Sequence, residues 1–363
     1  MKIGIVGGGI FGVSTAWEAA KRGYQVELFE RDELPSPRAA SCDISKAIRL
    51  EYGQLTHLYA PLVERSFPLW RQAEELSGES FFHNTGVLAL ARDFSEGSFE
   101  HESWKQLREM GHESRILEPK EGRELFPQFH WDKLQVGTYN LQGGWLSAAL
   151  ATRSVARCAE LAGARIFSKT KVDEVTEEGL RVEGENRSFD YVVVAAGAWA
   201  SKLLPAFAKQ IRVSRQRMTF YRPKEGFEVP VWIHDPAESG WYGFPRNSDG
   251  IVKVALHQRS ETVDPEESRE IDEAFLVRSR DFVRSLLPGL DPDSLDGGQC
   301  CFYTNSPSGD LVVEKVRDGL YLAGLGSGHA FKFGPVLGQL VMDEIEQGEA
   351  GFTIKQASDE KTW

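Results

Sequence analysis

The chain has 363 residues, more than twice the ~150 usual for one domain, so two domains, or one large domain with an insertion, are expected. With 41% hydrophobic residues, 26% charged residues, 35 Gly and no apolar run near the ~20 residues of a bilayer crossing, it reads as neither disordered, collagen-like nor membrane-spanning. A formal charge of -12 without a Lys/Arg cluster argues against nucleic-acid binding and leaves a small molecule as the expected partner. Cys42, Cys158, Cys300 and Cys301, the last two adjacent, make no disulfide framework. Lys2 runs at once into Ile3-Gly4-Ile5-Val6, an apolar stretch too short for an export signal, so cytoplasmic residence is expected.

In chain order, the β-branched run Lys2–Val6 predicts a strand, 7–12 a glycine turn, 13–22 a helix ended by Gly23, and Gln25–Phe29 a second strand closed by Glu30. Strand, turn, helix and strand make a βαβ unit, and its parallel strands imply a doubly wound sheet buried on both faces. Apolar residues at helical spacing over 59–76 predict a core helix with Pro61 and Pro68 at its start or kinking it. The pattern turns irregular over 81–142, then predicts a small-residue helix at 145–163 and strands at 164–167 and 191–197. A second irregular excursion over 211–298 contains a strand pattern at 251–256; another short strand follows at 319–324, and Pro335 opens a helix reaching about Gly348. The expected fold class is α/β in two interleaved domains, with a parallel sheet and an antiparallel sheet. A Rossmann-like nucleotide-binding domain takes 1–80, 143–210 and 299–363, and an antiparallel-sheet substrate domain takes 81–142 and 211–298.

The first chemical signal is Gly7-x-Gly9-x-x-Gly12 with Glu30 eighteen residues beyond the last glycine. The glycines allow a tight turn and close approach to a pyrophosphate, the helix N-terminus stabilises its charge, and the acid accepts bonds from ribose hydroxyls. A bare glycine turn is the simpler alternative, but strand, helix, second strand and acid occur here in order. This motif does not choose between NAD and FAD.

Later segments do. The run Val192-Val193-Val194-Ala195-Ala196-Gly197-Ala198-Trp199 resembles the second glycine loop of FAD-binding oxidoreductases, although any buried strand can end in Ala-Gly. Cys300-Cys301-Phe302-Tyr303-Thr304 follows, and then Gly324-Leu325-Gly326-Ser327-Gly328-His329-Ala330-Phe331-Lys332-Phe333-Gly334. Upstream lies Tyr242-Gly243-Phe244-Pro245, its tyrosine eleven residues before Lys253 and fifteen before His257. In these motifs the chain resembles, from Met1 to about Gly348, the monomeric sarcosine oxidase family of FAD-dependent amine oxidases within the D-amino acid oxidase superfamily. That family includes pipecolate, N-methyltryptophan and fructosyl-amino-acid oxidases.

The resemblance implies a bound FAD, with Cys301 attached to the flavin 8α-methyl carbon, a step that a low thiol pKa assists. A plain buried cysteine is the alternative. It implies that Lys253 activates O2 through a fixed positive charge, against a strand-edge lysine that merely snorkels. His257 and Tyr242 would line the substrate side of the ring, a structural role being open for His257. Arg49 and Lys332 would hold the substrate carboxylate, with a salt bridge from Arg49 to Glu51 as the alternative. Around the cofactor the resemblance sets Gly7, Gly9, Ile10, Phe11, Gly12, Glu30, Arg31, Ser41, Lys46, Val172, Ala196, Gly197, Trp199, Gly328, Phe331 and Lys332, with Lys46 also among the catalytic residues. No metal is expected, and the family suggests a monomer.

The chain also departs from the pattern: Lys46 stands where sarcosine oxidases have arginine, and Cys42 where they have histidine. Asp43-Ile44-Ser45-Lys46-Ala47-Ile48 looks more like the Asp-x-Asn/Ser-Lys-Ile segment of fructosyl-amino-acid and saccharopine-type oxidases. A bulkier amine follows, with Trp232, Trp241 and Phe220 as candidate pocket walls unless they are core. The expected activity is oxidation of an N-substituted amino acid by FAD and O2, giving an imine that hydrolyses to a carbonyl compound and an amine, with hydrogen peroxide. An Amadori-compound or saccharopine-type oxidase, a flavin dehydrogenase with another electron acceptor and a non-catalytic redox sensor are the alternatives.

Overall fold

Val193 of the 191–197 run packs with Ile3 and Ile5 on one side of a sheet, while its neighbours Val192 and Val194 pack with Val6 on the other. That alternation follows from the period of two along a strand and explains why these runs are apolar throughout: both faces are covered. The computed structural model describes residues 1–258 and 260–348, so the expected extension over 349–363 lies outside the described residues.

The chain opens with β1 (Lys2–Val6), α1 (Ile10–Lys21), β2 (Gln25–Phe29), β3 (Lys46–Ile48), α2 (Thr56–Ser77), β4 (Phe82–His83) and β5 (Val87–Ala91). It continues with α3 (Phe99–Glu109), β6 (Ser114–Leu117), α4 (Pro119–Leu125), β7 (Val136–Asn140), β8 (Gly144–Leu146), α5 (Ala148–Leu161) and β9 (Arg165–Phe167). Next come β10 (Val172–Val175), β11 (Gly179–Val182), β12 (Glu185–Ser188), β13 (Tyr191–Val194), α6 (Ala200–Leu203), β14 (Arg212–Tyr221), β15 (Val231–His234), β16 (Trp241–Gly243) and β17 (Val252–Leu256). The described chain closes with α7 (Glu273–Leu286), β18 (Leu295–Asn305), β19 (Val312–Arg317), β20 (Leu320–Gly324) and α8 (Pro335–Gln347).

Six strands form the nucleotide-binding sheet in the order β19-β20-β13-β1-β2-β9, all parallel except β19. Helices α1, α2, α5 and α8 supply the core of one face. The other face is covered by the antiparallel β10-β11-β12 sheet with α6, where a doubly wound reading expects helices. Helix α2 runs through both Pro61 and Pro68 instead of starting at them. The expected helix at 145–163 begins only at Ala148, because Trp145 is held in β8, paired with Ala47 of β3 and His83 of β4.

Eight strands form the second sheet, β18-β14-β17-β16-β15-β5-β7-β6, antiparallel but for the β15–β5 pair. Strand β18 enters it by pairing with β14 from Leu295 to Asn305, so Cys301 and the rest of 299–305 sit in this sheet and not, as expected, with the nucleotide-binding strands. Its position is set by long-range pairing, which local sequence pattern does not report. Helix α7 packs on one face, against Val252, Val254 and Leu256 of β17. By alternation, Lys253 and Ala255 look to the opposite face. No helix among the described residues is long and apolar enough to cross a membrane.

Candidate functional site

The glycine turn after β1 is built by close approach. Gly7 adopts φ 107°, in the left-handed region, and a Cβ there would press on the Ala195 carbonyl at the end of β13. A Cβ on Gly12 would drive into the Gly7 carbonyl oxygen, so α1 lies against the turn because this residue is glycine. Gly9 precedes α1 and offers no side-chain cap; the Ile10 N–H is met by Ser41 Oγ at 2.9 Å. Glu30 is buried at the end of β2 and accepts from the backbone N–H of Gly8 at 2.7 Å and of Asp32 at 3.0 Å. A carboxylate has about four lone-pair sites, so it retains capacity for a ligand hydroxyl.

These elements border a cavity of about 370 Å³. Of the residues expected around the cofactor, Gly7, Gly9, Ile10, Phe11, Glu30, Arg31, Ser41, Lys46, Val172, Ala196, Gly197, Trp199, Gly328 and Phe331 all line it. Gly12 stands behind the turn, and Lys332 lies outside the lining. At the rim the Arg31 guanidinium lies 4.2 Å from the Trp199 ring, whose Nε1 donates to Glu266 at 2.6 Å. The donor set fits FAD: glycine-turn N–H groups for a pyrophosphate, an acid for the ribose, and a long apolar trough.

Cys301 borders a second cavity of about 140 Å³, with Cys42, Asp43 and Arg269. Arg38 and Ala39 line both cavities. On β18, Cys301 and Tyr303 share a face with Met218, Ala255, Phe220 and Tyr242, while Cys300 and Phe302 point the other way. Burial pushes the Cys301 thiol up; Asp43 adds to this, and Lys46, Lys253 and Arg269 oppose it. The expected low thiol pKa is therefore not what the fold provides, since the carboxylate and the buried setting outweigh three cations.

Lys253 Nζ donates to Asp43 Oδ2 at 2.8 Å and to the Ser45 carbonyl at 2.5 Å. Lys46 meets the same Oδ2 at 2.8 Å. Burial lowers the Lys253 pKa to about 8, with Asp43 resisting and Lys46 reinforcing the shift. Burial also acts against the Lys46 charge, but Asp43 outweighs it and holds that ammonium protonated. Asp43 itself is kept ionised by the two lysines against its burial. The Tyr242 hydroxyl lies 3.5 Å from that of Tyr303, and burial raises both phenols.

Arg49 and Lys332 flank one ring. The Arg49 guanidinium lies 4.9 Å and the Lys332 ammonium 4.8 Å from the centre of Tyr52. Lys332 Nζ donates to the Tyr52 hydroxyl at 2.8 Å and to the His329 carbonyl at 3.2 Å. Among the described residues neither cation has a carboxylate within 4.0 Å, so the Arg49–Glu51 bridge does not form. Arg49 Nη1 is buried without a hydrogen-bond partner, and so is Glu51 Oε2. Burial, with Arg49 adding to it, carries Lys332 well below the usual lysine range. Burial also lowers His257 to about 4, and Arg49 and Lys332 contribute, which ties His257 to the same cluster.

Two expectations about pocket walls fail. Trp241 stacks on Phe282 at 4.3 Å between ring centres and Trp232 on the same ring at 6.1 Å, so both belong to the core under α7. Of the three aromatics only Phe220 shares the Cys301 face. Asp43, Tyr303, Tyr52 and His329 were not expected at the site, although Asp43 and Tyr303 lie inside motifs that carry the resemblance. Residue type at those positions was visible; their pairing across the fold was not.

Comparison with known proteins matches residues 2–344 to the family described as FAD dependent oxidoreductase. The chain is 26% identical to a monomeric sarcosine oxidase of Bacillus sp. over 361 residues, covering 93% of this chain and 91% of that protein. It is 25% identical to an N-methyl-L-tryptophan oxidase of Citrobacter koseri over 369 residues, covering 96% of both. Among solved structures, L-proline dehydrogenase from P. horikoshii shares the fold with a TM-score of 0.85 over 98% of this chain and 96% of that one, at 22% identity.

Proposed function

The chain belongs to the FAD-dependent oxidoreductase family, and from that premise we propose that it oxidises an N-substituted α-amino acid at the carbon next to nitrogen, with O2 as the final acceptor. The observation that carries this reading is the pair of cations without carboxylate partners. Buried charge is tolerated when an anion compensates it, and Arg49 and Lys332 face a common site with none among the described residues. A guanidinium fork and a point charge suit a substrate carboxylate.

Bound FAD accepts the hydride equivalent from the substrate carbon. The chain's own residues do the rest. Arg49 and Lys332 anchor the carboxylate, which fixes the C–H bond relative to the cavity and replaces a random encounter by an oriented one. His257, neutral above pH ~5, lines the amine side without adding a third positive charge, so the amine binds with its lone pair free. Tyr242 orients the amine from the neighbouring strand. The resulting imine hydrolyses in water to a carbonyl compound and an amine. Lys253 supplies the positive charge for the reaction with O2, and Cys301 Sγ is the point of covalent attachment to the cofactor. The domain division, cytoplasmic residence and a monomeric state belong to the same reading; in its support, the Lys2–Val6 run is an inner strand of the sheet.

Sarcosine, N-methyl and cyclic amino acids compete with Amadori compounds as substrates. Lys46 at the cavity wall favours the second group as an alternative, while the loss of Trp232 and Trp241 from the pocket removes one argument for a large apolar substituent. The test is anaerobic bleaching of the bound flavin by a panel of N-methyl, cyclic and fructosyl amino acids, followed by peroxide detection in air. Bleaching with stoichiometric peroxide supports the proposal. Bleaching with little peroxide makes the protein a dehydrogenase, and no bleaching by any amine makes it a flavin-binding sensor.

A further inference from the structure

Among the buried groups that this reaction leaves unused, Asp43 has the most demanding surroundings. Its side chain is 2% exposed; Oδ1 accepts from the Ile44 N–H at 2.7 Å, and Oδ2 takes both the Lys253 and the Lys46 ammoniums at 2.8 Å. Lys253 comes from β17, 210 residues away, and is 1% exposed. A loop before β3 thus reaches across to the face of the eight-stranded sheet and meets its one buried ammonium. We propose that Asp43 is the positioning residue for the oxygen half of the reaction: it fixes the Lys253 ammonium in place and keeps it charged, sharing one oxygen between Lys253 and Lys46. This rests on the oxidase reading above.

The physical case is a count of charges. Two ammoniums and one carboxylate leave a net single positive charge in a buried site. Without the carboxylate, two like charges would face each other in a low dielectric, and the more buried one would shed its proton. The groups facing Lys253 are Asp43 and Lys46 from the β3 segment, Cys301 from β18 and the Phe244 ring, 4.4 Å away; Tyr242 and Tyr303 act on Lys46 and Cys301. Dioxygen takes up two electrons and two protons to leave as hydrogen peroxide, the electrons being those removed from the amine. The first electron makes oxygen anionic, so a fixed cation beside it favours that step. A neutral Lys253 loses this effect, and Asp43 controls which form is present.

The test uses the flavin-loaded enzyme, reduced with just enough dithionite and then mixed with aerated buffer at pH 6 to 10, following recovery of flavin absorbance. In wild type the rate is expected to fall as pH rises through about 8, where Lys253 titrates. Asp43→Asn moves that fall to lower pH and slows the reaction at pH 8 about tenfold or more, one pH unit being tenfold in protonation. Lys46→Gln moves it to higher pH, because a like charge has been removed. Asp43→Glu leaves it near the wild-type position. A merely structural role would slow or destabilise without opposed shifts.

A second readout needs no turnover. Lys253 is depressed from 10.5 to about 8, so folding stability rises with pH across that window; in Asp43→Asn the rise begins lower, and in Lys46→Gln higher. If Asp43→Asn does not fold, the upward shift of Lys46→Gln decides. Unshifted profiles in the variants of an enzyme that O2 does reoxidise overturn the role of Asp43 alone. Reduced wild type that a quinone reoxidises and O2 does not overturns the oxidase reading and this assignment with it.

Discussion

The Lys332 ammonium donates to the Tyr52 hydroxyl at 2.8 Å, and that hydroxyl stands 3.2 Å from His329 Nδ1. His329 Nε2 lies 3.0 Å from the Gly309 carbonyl, which can only accept, so the ring proton sits on Nε2 and Nδ1 accepts from Tyr52. The Tyr52 lone pair is thereby turned to Lys332. A chain of fixed donors and acceptors aims one of the two cations assigned to the substrate carboxylate.

Tyr52→Phe keeps the ring stacked on Tyr59, 4.6 Å between centres, and removes only this hydrogen bond. KM for the amino-acid substrate is expected to rise about tenfold, in line with the ~1.5 kcal/mol of a hydrogen bond to a charged group, with kcat little changed. Arg49→Met is expected to raise KM more, about 100-fold, since a bidentate ionic contact is lost. Steady-state kinetics on the best substrate of the panel measures both; an unchanged KM in Arg49→Met would remove the carboxylate anchor.

Cys301→Ala tests the covalent link. Acid precipitation of wild type is expected to leave the yellow colour in the pellet, and the same treatment of the variant should release it to the supernatant. The glycine turn and Glu30 remain, so the variant still binds FAD noncovalently. Colour in the wild-type supernatant would remove Cys301 from this role.

Gly12→Ala acts through the backbone. The added methyl meets the Gly7 carbonyl oxygen, which cannot move without opening the contact between α1 and the turn. Loss of flavin content and a destabilisation of ~3 kcal/mol or more are expected, the range of severe overpacking. Absorbance per chain and denaturant melts check it; a variant with full flavin content would show that the turn tolerates the shift.

Acid stability carries the signature of the buried imidazoles. His257 and His234 are lowered to about 4 and His329 to about 3, each by burial first, against an ordinary value of 6.5. The unfolded chain therefore binds more protons than the folded one between those values, and stability falls as pH drops from 6.5 toward 4. Thermal melts from pH 7.5 to 4.5 should show this slope, reduced in His257→Gln. Parallel slopes in the two proteins would mean that His257 protonates freely in the fold.

The βαβ start was legible because everything that makes it is local: Lys2–Val6, the glycines, α1 and Glu30 fall within one short stretch. Lys253 was legible as an anomaly, an ammonium in an apolar strand. Its partner was not, since Asp43 lies in a loop whose approach depends on how the two sheets pack. The faces of Trp232 and Trp241 were also hidden. A period of two tells which residues share a face, but not which face α7 covers. The sheet membership of β18 failed for a related reason, because pairing with β14 joins residues about 80 positions apart.

The interleaving of the two sheets has a consequence for how the chain is made. Strand β18 finishes one sheet against β14, and β20 must settle beside β13 before the other can be flanked by β19. Neither half can close while synthesis has not passed Gly324, so the usual course in which an early domain folds while a later one is still emerging is not open to this protein. A ribosome that stops short of that residue releases a polypeptide with two raw sheet edges, the kind of surface that other nascent chains pair with and that quality-control proteases find first.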